Sequence, residues 1–158
     1  GDPVAIAGSA DGRGIPTVPL ATAGATHKIL GPMVAIVNAG TPPVPVLQNS
    51  TVYRVASVAT YILVADDPFL MHMIQEASVS ATIAATDVGA NINLASGSGS
   101  TVTGYSGWTL DSDSIAADAT YQATLLRMLD EEDNAIGQYA RWLVSLNIQS
   151  FVAGVAGT

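Results

Sequence analysis

Residues 59–76 read ATYILVADDPFLMHMIQE. The first seven are rich in β-branched and aromatic side chains, the composition of a strand packed against a core. Asp66-Asp67-Pro68 then interrupts the run: aspartate side chains satisfy nearby backbone N–H groups and proline fixes φ. Residues 69–76 alternate, with Phe69, Met71, Met73 and Gln75 against Leu70, His72, Ile74 and Glu76. An isolated helical turn is an alternative there, but the flanking turn signals favour a strand. Strand, turn, strand, with a period of two, is the signature of a β protein.

The same grammar extends outward. Residues 33–38 (MVAIVN) lie between Pro32 and AGTPPVP, as a buried strand bounded by breakers would. Pro42, Pro43 and Pro45 make the next segment a stiff loop. Residues 51–56 (TVYRVA) alternate, and 78–86 are β-prone. Asp87-Val88-Gly89 is a turn, 91–94 a strand, and ASGSGST (95–101) a flexible loop. Residues 105–110 read as a short strand and 111–118 as a polar loop. Residues 120–129 place Tyr121, Ala123, Leu125 and Arg127 on one strand face. Asp130-Glu131-Glu132-Asp133-Asn134 is an acidic turn. Residues 141–148 point Trp142, Val144, Leu146 and Ile148 inward, with Arg141, Ser145, Asn147 and the less polar Leu143 outward.

Six to eight short strands spaced by turns imply an all-β fold, a small β-barrel or β-sandwich, with a jelly roll among the options. Neither βαβ alternation, nor a long amphipathic helix, nor a fixed-period repeat is visible. Residues 1–24, rich in Gly, Pro, Ala and Thr, predict an extended N-terminal arm with an edge strand near residues 4–7. The arm's apolar residues (Val4, Ile6, Ile15, Val18, Leu20) imply that it lies against something. Residues 25–150 then form a single β domain, and 151–158 a loose tail.

With 158 residues and 49 % hydrophobic content, the chain can build a core of its own. It has no cysteine, which removes disulfides, Cys-ligated zinc and thiol chemistry. Charged residues are 11 %, against roughly 25 % in an average soluble domain. The net charge of −8 comes from 13 acids and 5 scattered bases: Arg13, Lys28, Arg54, Arg127 and Arg141. Phosphate backbones and anionic membrane surfaces need clustered cations, so neither nucleic acid nor membrane is an expected partner. No apolar run reaches the ~18 residues of a membrane helix. The opening GDPVAIAGSADGRG has no basic region or long apolar core of a signal peptide. Such low charge suits a surface covered by neighbouring subunits, the preferred reading, or a stable monomer with a Thr/Ser-rich polar surface.

Candidate chemical residues are few. His27 sits beside Lys28 in a loop, and His72 lies in an apolar strand; neither has a partner at helical metal-site spacing. Asp111-x-Asp113 begins like a calcium loop, but Ala116 and Gln122 stand where Gly and Glu are required. The run from Asp130 to Asp133 reads as a solvated turn, or as an acidic rim pairing with arginines on a neighbour. GSGS and GYSG are neither a nucleophile elbow nor a P-loop. Asn49-Ser50-Thr51 is a formal glycosylation sequon, and Arg13 lies in a G-R-G stretch that is not RGD. We assign no catalytic, cofactor-binding or metal residue and expect no enzyme. Tyr53, Tyr61, Tyr105, Trp108, Tyr121, Tyr139 and Trp142 leave a carbohydrate-binding β module of a fibre or adhesin as the alternative. A hydrolase would need a concave pocket holding His72 or a carboxylate pair with shifted pKa values.

Several stretches, in order, carry a resemblance: GDPVAIAG, ATAGATHKILGPMVAIVNAG, YRVASVATYILVADDPFLMHMIQE, ATDVGANINL, GYSGWTLDSDS and EEDNAIGQYARWLVSLNIQ. Its strongest pieces are Ala65-Asp66-Asp67-Pro68, Asp87-Val88-Gly89-Ala90-Asn91, and the stretch from Glu132-Asp133-Asn134 to Asn147. The chain resembles the capsid decoration (cement) proteins of tailed bacteriophages from Gly1 to about Gln149. The resemblance implies a β-barrel-like body with an arm, bound to the outside of an icosahedral head. It implies the major capsid protein and further copies of the chain as partners; we expect a homotrimer, with a dimer or monomer as the alternatives. It implies location on the virion surface, the bridging of adjacent capsomers, and no family active site or cofactor.

Overall fold

The computed structural model describes residues 1–37, 53, 59–77 and 81–158. Nine strands follow in order among them: β1 (Pro3–Val4), β2 (Gly31–Val37), β3 (Tyr61–Val64), β4 (Met71–Gln75), β5 (Asn91–Ile92), β6 (Leu94–Ala95), β7 (Thr109–Leu110), β8 (Ala123–Met128) and β9 (Arg141–Leu146). The protein is all-β, and its sheets are antiparallel. One sheet has the order β1-β2-β3, a second β4-β9-β8-β5, and a third is the pair β6-β7.

The four-stranded sheet is the frame. On β9 the alternation read from the sequence holds: Trp142 and Val144 are buried, with Leu146 packed against the same core. Opposite them lie Ile74 of β4 and Leu125 of β8. Ile29, Ile83, Ile92 and Leu110 complete the interior and are wholly buried. Burying a side chain of this size stabilises by roughly 1.5–3 kcal/mol, so these few residues supply the main folding drive.

β8 departs from the expected pattern. Ala123 and Leu125 are buried, but Arg127 is exposed. The register shifts between Leu125 and Arg127, where Leu125 opposes Val144 and Arg127 opposes Leu143. This β-bulge inserts Leu126 and rotates the rest of the strand, so that Met128 packs on the core instead. A strict period of two cannot anticipate it.

The expected strand at 91–94 is two strands in different sheets. β5 pairs with β8 and β6 with β7, and Asn93 between them bonds the Ser114 hydroxyl through its N–H. Residues 81–86 form no strand and lead into a turn of 3-10 helix at Ala85–Asp87. The expected strand at 51–56, the proline loop, the sequon and residues 78–80 lie outside the described residues, Tyr53 excepted.

The N-terminal segment doubles back on itself. Ala5 N–H bonds Pro19 O, Ala7 N–H bonds Thr17 O and Asp11 N–H bonds Ile15 O, at 2.9–3.0 Å. Asp11-Gly12-Arg13-Gly14 makes the tip, and the Asp11 carboxylate accepts from the backbone N–H groups of Arg13 and Ile15. β1 then pairs with β2, placing Val4 opposite Gly31. Gly31 has no alternative there: a Cβ would lie 1.9 Å from the Ala65 carbonyl oxygen. The C-terminal tail is also docked. Val155 N–H bonds Asn147 Oδ1, and Thr158 N–H bonds Gly89 O. Gly154 passes so close to Ala119 that a Cβ would sit 2.0 Å from its carbonyl oxygen.

Candidate functional site

The sequence's candidate residues are mostly occupied with structure. Asp111 caps the turn at Ser112–Ser114 by accepting from Asp113 N–H. Arg141 pairs with Glu131 at 2.9 Å and with Asp133, so the acidic turn satisfies its own chain's guanidinium. Asn134 locks the same turn: its amide donates to Leu129 O and Arg141 O, and its oxygen accepts from Arg141 N–H. Ser100 holds the serine-rich loop by accepting from Val102 and Thr103 N–H. His27 is exposed. His72 is half-buried opposite Val144, and burial lowers its pKa, so its imidazole is neutral near pH 7. Among the described residues no group of three or more His, Cys, Asp or Glu is placed to hold a metal ion. Among them, too, no helix is long and apolar enough to cross a membrane.

The buried polar residues escaped the sequence reading. Gln122 is wholly buried; its amide donates to Thr22 O and His27 O, and its oxygen accepts from Gly24 N–H and Leu94 N–H. Gln149 joins Leu30 O, Asp66 O and Phe151 N–H. Asn91 ties Asp118 O, Val155 O and the Thr124 hydroxyl together, and Asn147 ties Ala119 O and Tyr121 O to Val155 N–H. Glu76 is a buried carboxylate that accepts from Ile83 N–H at 2.8 Å and from the Trp142 indole at 3.3 Å. Desolvation raises its pKa, against the lowering effect of those two donors. These partners lie up to 119 residues apart, and only their polarity next to apolar strand positions hinted at them.

The aromatic residues do not form one row. Trp108 and Trp142 are buried, while Tyr61 donates its hydroxyl to Asp11 at 2.6 Å. Tyr53, Tyr105 and Tyr139 are exposed.

What the fold does present is an apolar strip along the edge of the four-stranded sheet. Among the described residues β4 is an edge strand. The Asp67 carboxylate accepts from Phe69 N–H at 2.9 Å, and Leu70 N–H bonds Asp67 O. The resulting turn leaves Phe69 88 % exposed, and the alternation along β4 leaves Met71 and Met73 each 61 % exposed. Met71 lies across from Ser145, and Met73 from Leu143. No ionised side chain occurs on the chain from Pro68 to Gln75. Large apolar side chains clustered in this way mark contact surfaces more often than single exposed ones do. Compared with family models, curated proteins and solved structures, the chain matches none.

Proposed function

We propose that the protein is a structural subunit that coats the outer surface of a tailed-phage head, bridging adjacent capsomers as a decoration, or cement, protein. The exposed apolar strip formed by Phe69, Met71 and Met73 carries this reading. Contact through such a strip needs few charges, which suits a chain that is only 11 % charged. The resemblance supplies the kind of partner: the major capsid protein, with further copies of this chain completing a trimer. The motifs behind it are turn-holding pieces here, with Asp67 capping one turn, Asp87 accepting from Ala84 N–H in another and Asn134 locking a third. A likeness carried by such residues concerns a scaffold and not a reaction. Net negative charge disfavours contact with packaged DNA, so the outer face is the assigned one.

The test is to mix purified protein with heads lacking it and separate them on a gradient. Saturable co-sedimentation, with heads that then survive heating better, supports the proposal. Protein that stays at the top of the gradient overturns it. Crosslinks from each copy to a single capsid subunit would sink the bridging part alone.

A further inference from the structure

β4 and the chain entering β7 run side by side. They meet at one end, where Glu76 and Leu110 form a parallel bridge and Ala77 N–H bonds Leu110 O at 3.0 Å. Upstream of that point the two segments part. A cavity of about 680 Å³ opens between them, lined by residues 72–75 on one side and 105–109 on the other. Four and five consecutive residues line it, so it meets the edges of both segments, and Arg141 and Leu146 of β9 carry it across the neighbouring sheet as well. Ile29, Leu94 and Leu146 contribute apolar surface.

The backbone of β4 has groups to offer this slot. Glu76 N–H bonds Ala140 O, which places residues 72, 74 and 76 in the hydrogen-bonded pairs with β9. By the alternation of an antiparallel ladder, Met73 and Gln75 direct their N–H groups the other way. That is the side on which Ala77 finds Leu110. Trp108 packs along the same slot, 8 % exposed, with its indole Nε1 buried from solvent.

Charge narrows the occupant. Among the described residues no carboxylate lines the slot. Carboxylates stand just outside it: Asp2 accepts from the lining Ser106 hydroxyl at 2.6 Å, while Glu131 and Asp133 surround the lining Arg141. The chain as a whole carries −8. An uncharged segment with cations at its ends meets a lining whose Arg141 is already ion-paired, with acidic surroundings beyond it.

We propose that this slot receives an extended segment of a partner protein as an added strand, uncharged along its length and with lysine or arginine at its ends. Main-chain bonds to Met73 and Gln75 hold it. Affinity in strand addition comes mainly from the main chain, so a generic sequence suffices as probe. The inference does not depend on the capsid reading.

The probe is the capped peptide acetyl-KTVTVTK-amide, titrated into the full-length protein and followed by NMR and amide exchange. The expected result is saturable binding and slowed exchange at the Met73 and Gln75 amides. Two lost main-chain bonds correspond to roughly a tenfold weakening, which is expected for the same peptide N-methylated at alternate amides. Met73→Pro should weaken binding similarly, since proline is tolerated on an edge strand whose N–H faces outward. Should that variant fail to fold, the N-methylated peptide decides. A DTVTVTD version should bind worst. Absence of saturation up to ~1 mM, a range that takes in even weak complexes, overturns the proposal. So does equal binding of the N-methylated or aspartate-flanked peptide, or binding that leaves Met73 and Gln75 exchange unchanged.

Discussion

Gln122 uses every hydrogen-bonding position of its amide, two donors and two acceptor sites. Gln122→Leu would keep the volume and strand four backbone groups in the interior. We expect a loss of about 3 kcal/mol, a small multiple of one unmade buried hydrogen bond, read from the urea midpoint. A loss within error would mean that water replaces the side chain. Glu76 makes a different prediction. Its folded pKa is raised above the ordinary 4.5, chiefly by desolvation. Between those two values the native state binds more protons than the unfolded chain, so stability falls as pH rises. The contribution is fully present below the unfolded pKa and is lost as pH rises through the folded one. Glu76→Gln removes the titration, so the variant should gain on wild type between acid and neutral pH in denaturation titrations. A constant difference across that range would refute the assignment.

Among the elements, the N-terminal hairpin is held by its ladder, by β1 and by the bond from Tyr61 to Asp11 at its tip. The Tyr61 hydroxyl holds the Asp11 carboxyl below its usual value of 3.8, helped by the Ile15 and Arg13 N–H groups. That contribution is present above pH 3.8 and is lost as pH falls through the depressed folded pKa. Tyr61→Phe should therefore speed amide exchange of Ala7 and Thr17 while leaving the global unfolding midpoint nearly unchanged. Unchanged exchange would mean that the ladder alone holds the hairpin. β4 is the other element of consequence, an edge strand with an apolar outer row and a partly unpaired backbone, and edges of this kind are templates for pairing.

At the scale of the molecule, the surface is unusual in charge more than in shape. If docking uses the strip of Phe69, Met71 and Met73, raising salt from ~0.1 to ~1 M should weaken attachment to heads little, since screening acts on charge pairs. A steep loss with salt would place the acidic residues in the interface instead. Met71→Asp puts a carboxylate in the middle of an outward-facing row without touching the core. It should abolish co-sedimentation with heads while the thermal midpoint stays within a few degrees of wild type. Retained attachment would move the interface elsewhere.

The β class, the turn at Asp66-Asp67-Pro68 and the inward row of Trp142, Val144 and Leu146 were legible because each rests on neighbours in sequence. A period of two, proline's φ and an aspartate reaching its own backbone are local physics. Three things were not legible, and each depends on distance. The bulge at Leu126 reflects the fit of β8 to β9, so Arg127 turned outward against the pattern. The hairpin of residues 3–21 and the docked tail are tied by partners such as Tyr61 and Asn91, far along the chain. Gln122, Gln149 and Asn91 read as ordinary polar residues until the fold brought carbonyls from remote loops within 3 Å of them. The same holds for the slot, which exists only because two segments that meet at Leu110 part again upstream. Local sequence thus determined which stretches extend and which turn. Only the tertiary structure decided which polar groups are buried and which strand lies at the edge of its sheet among the described residues, because both are set by what packs beside them.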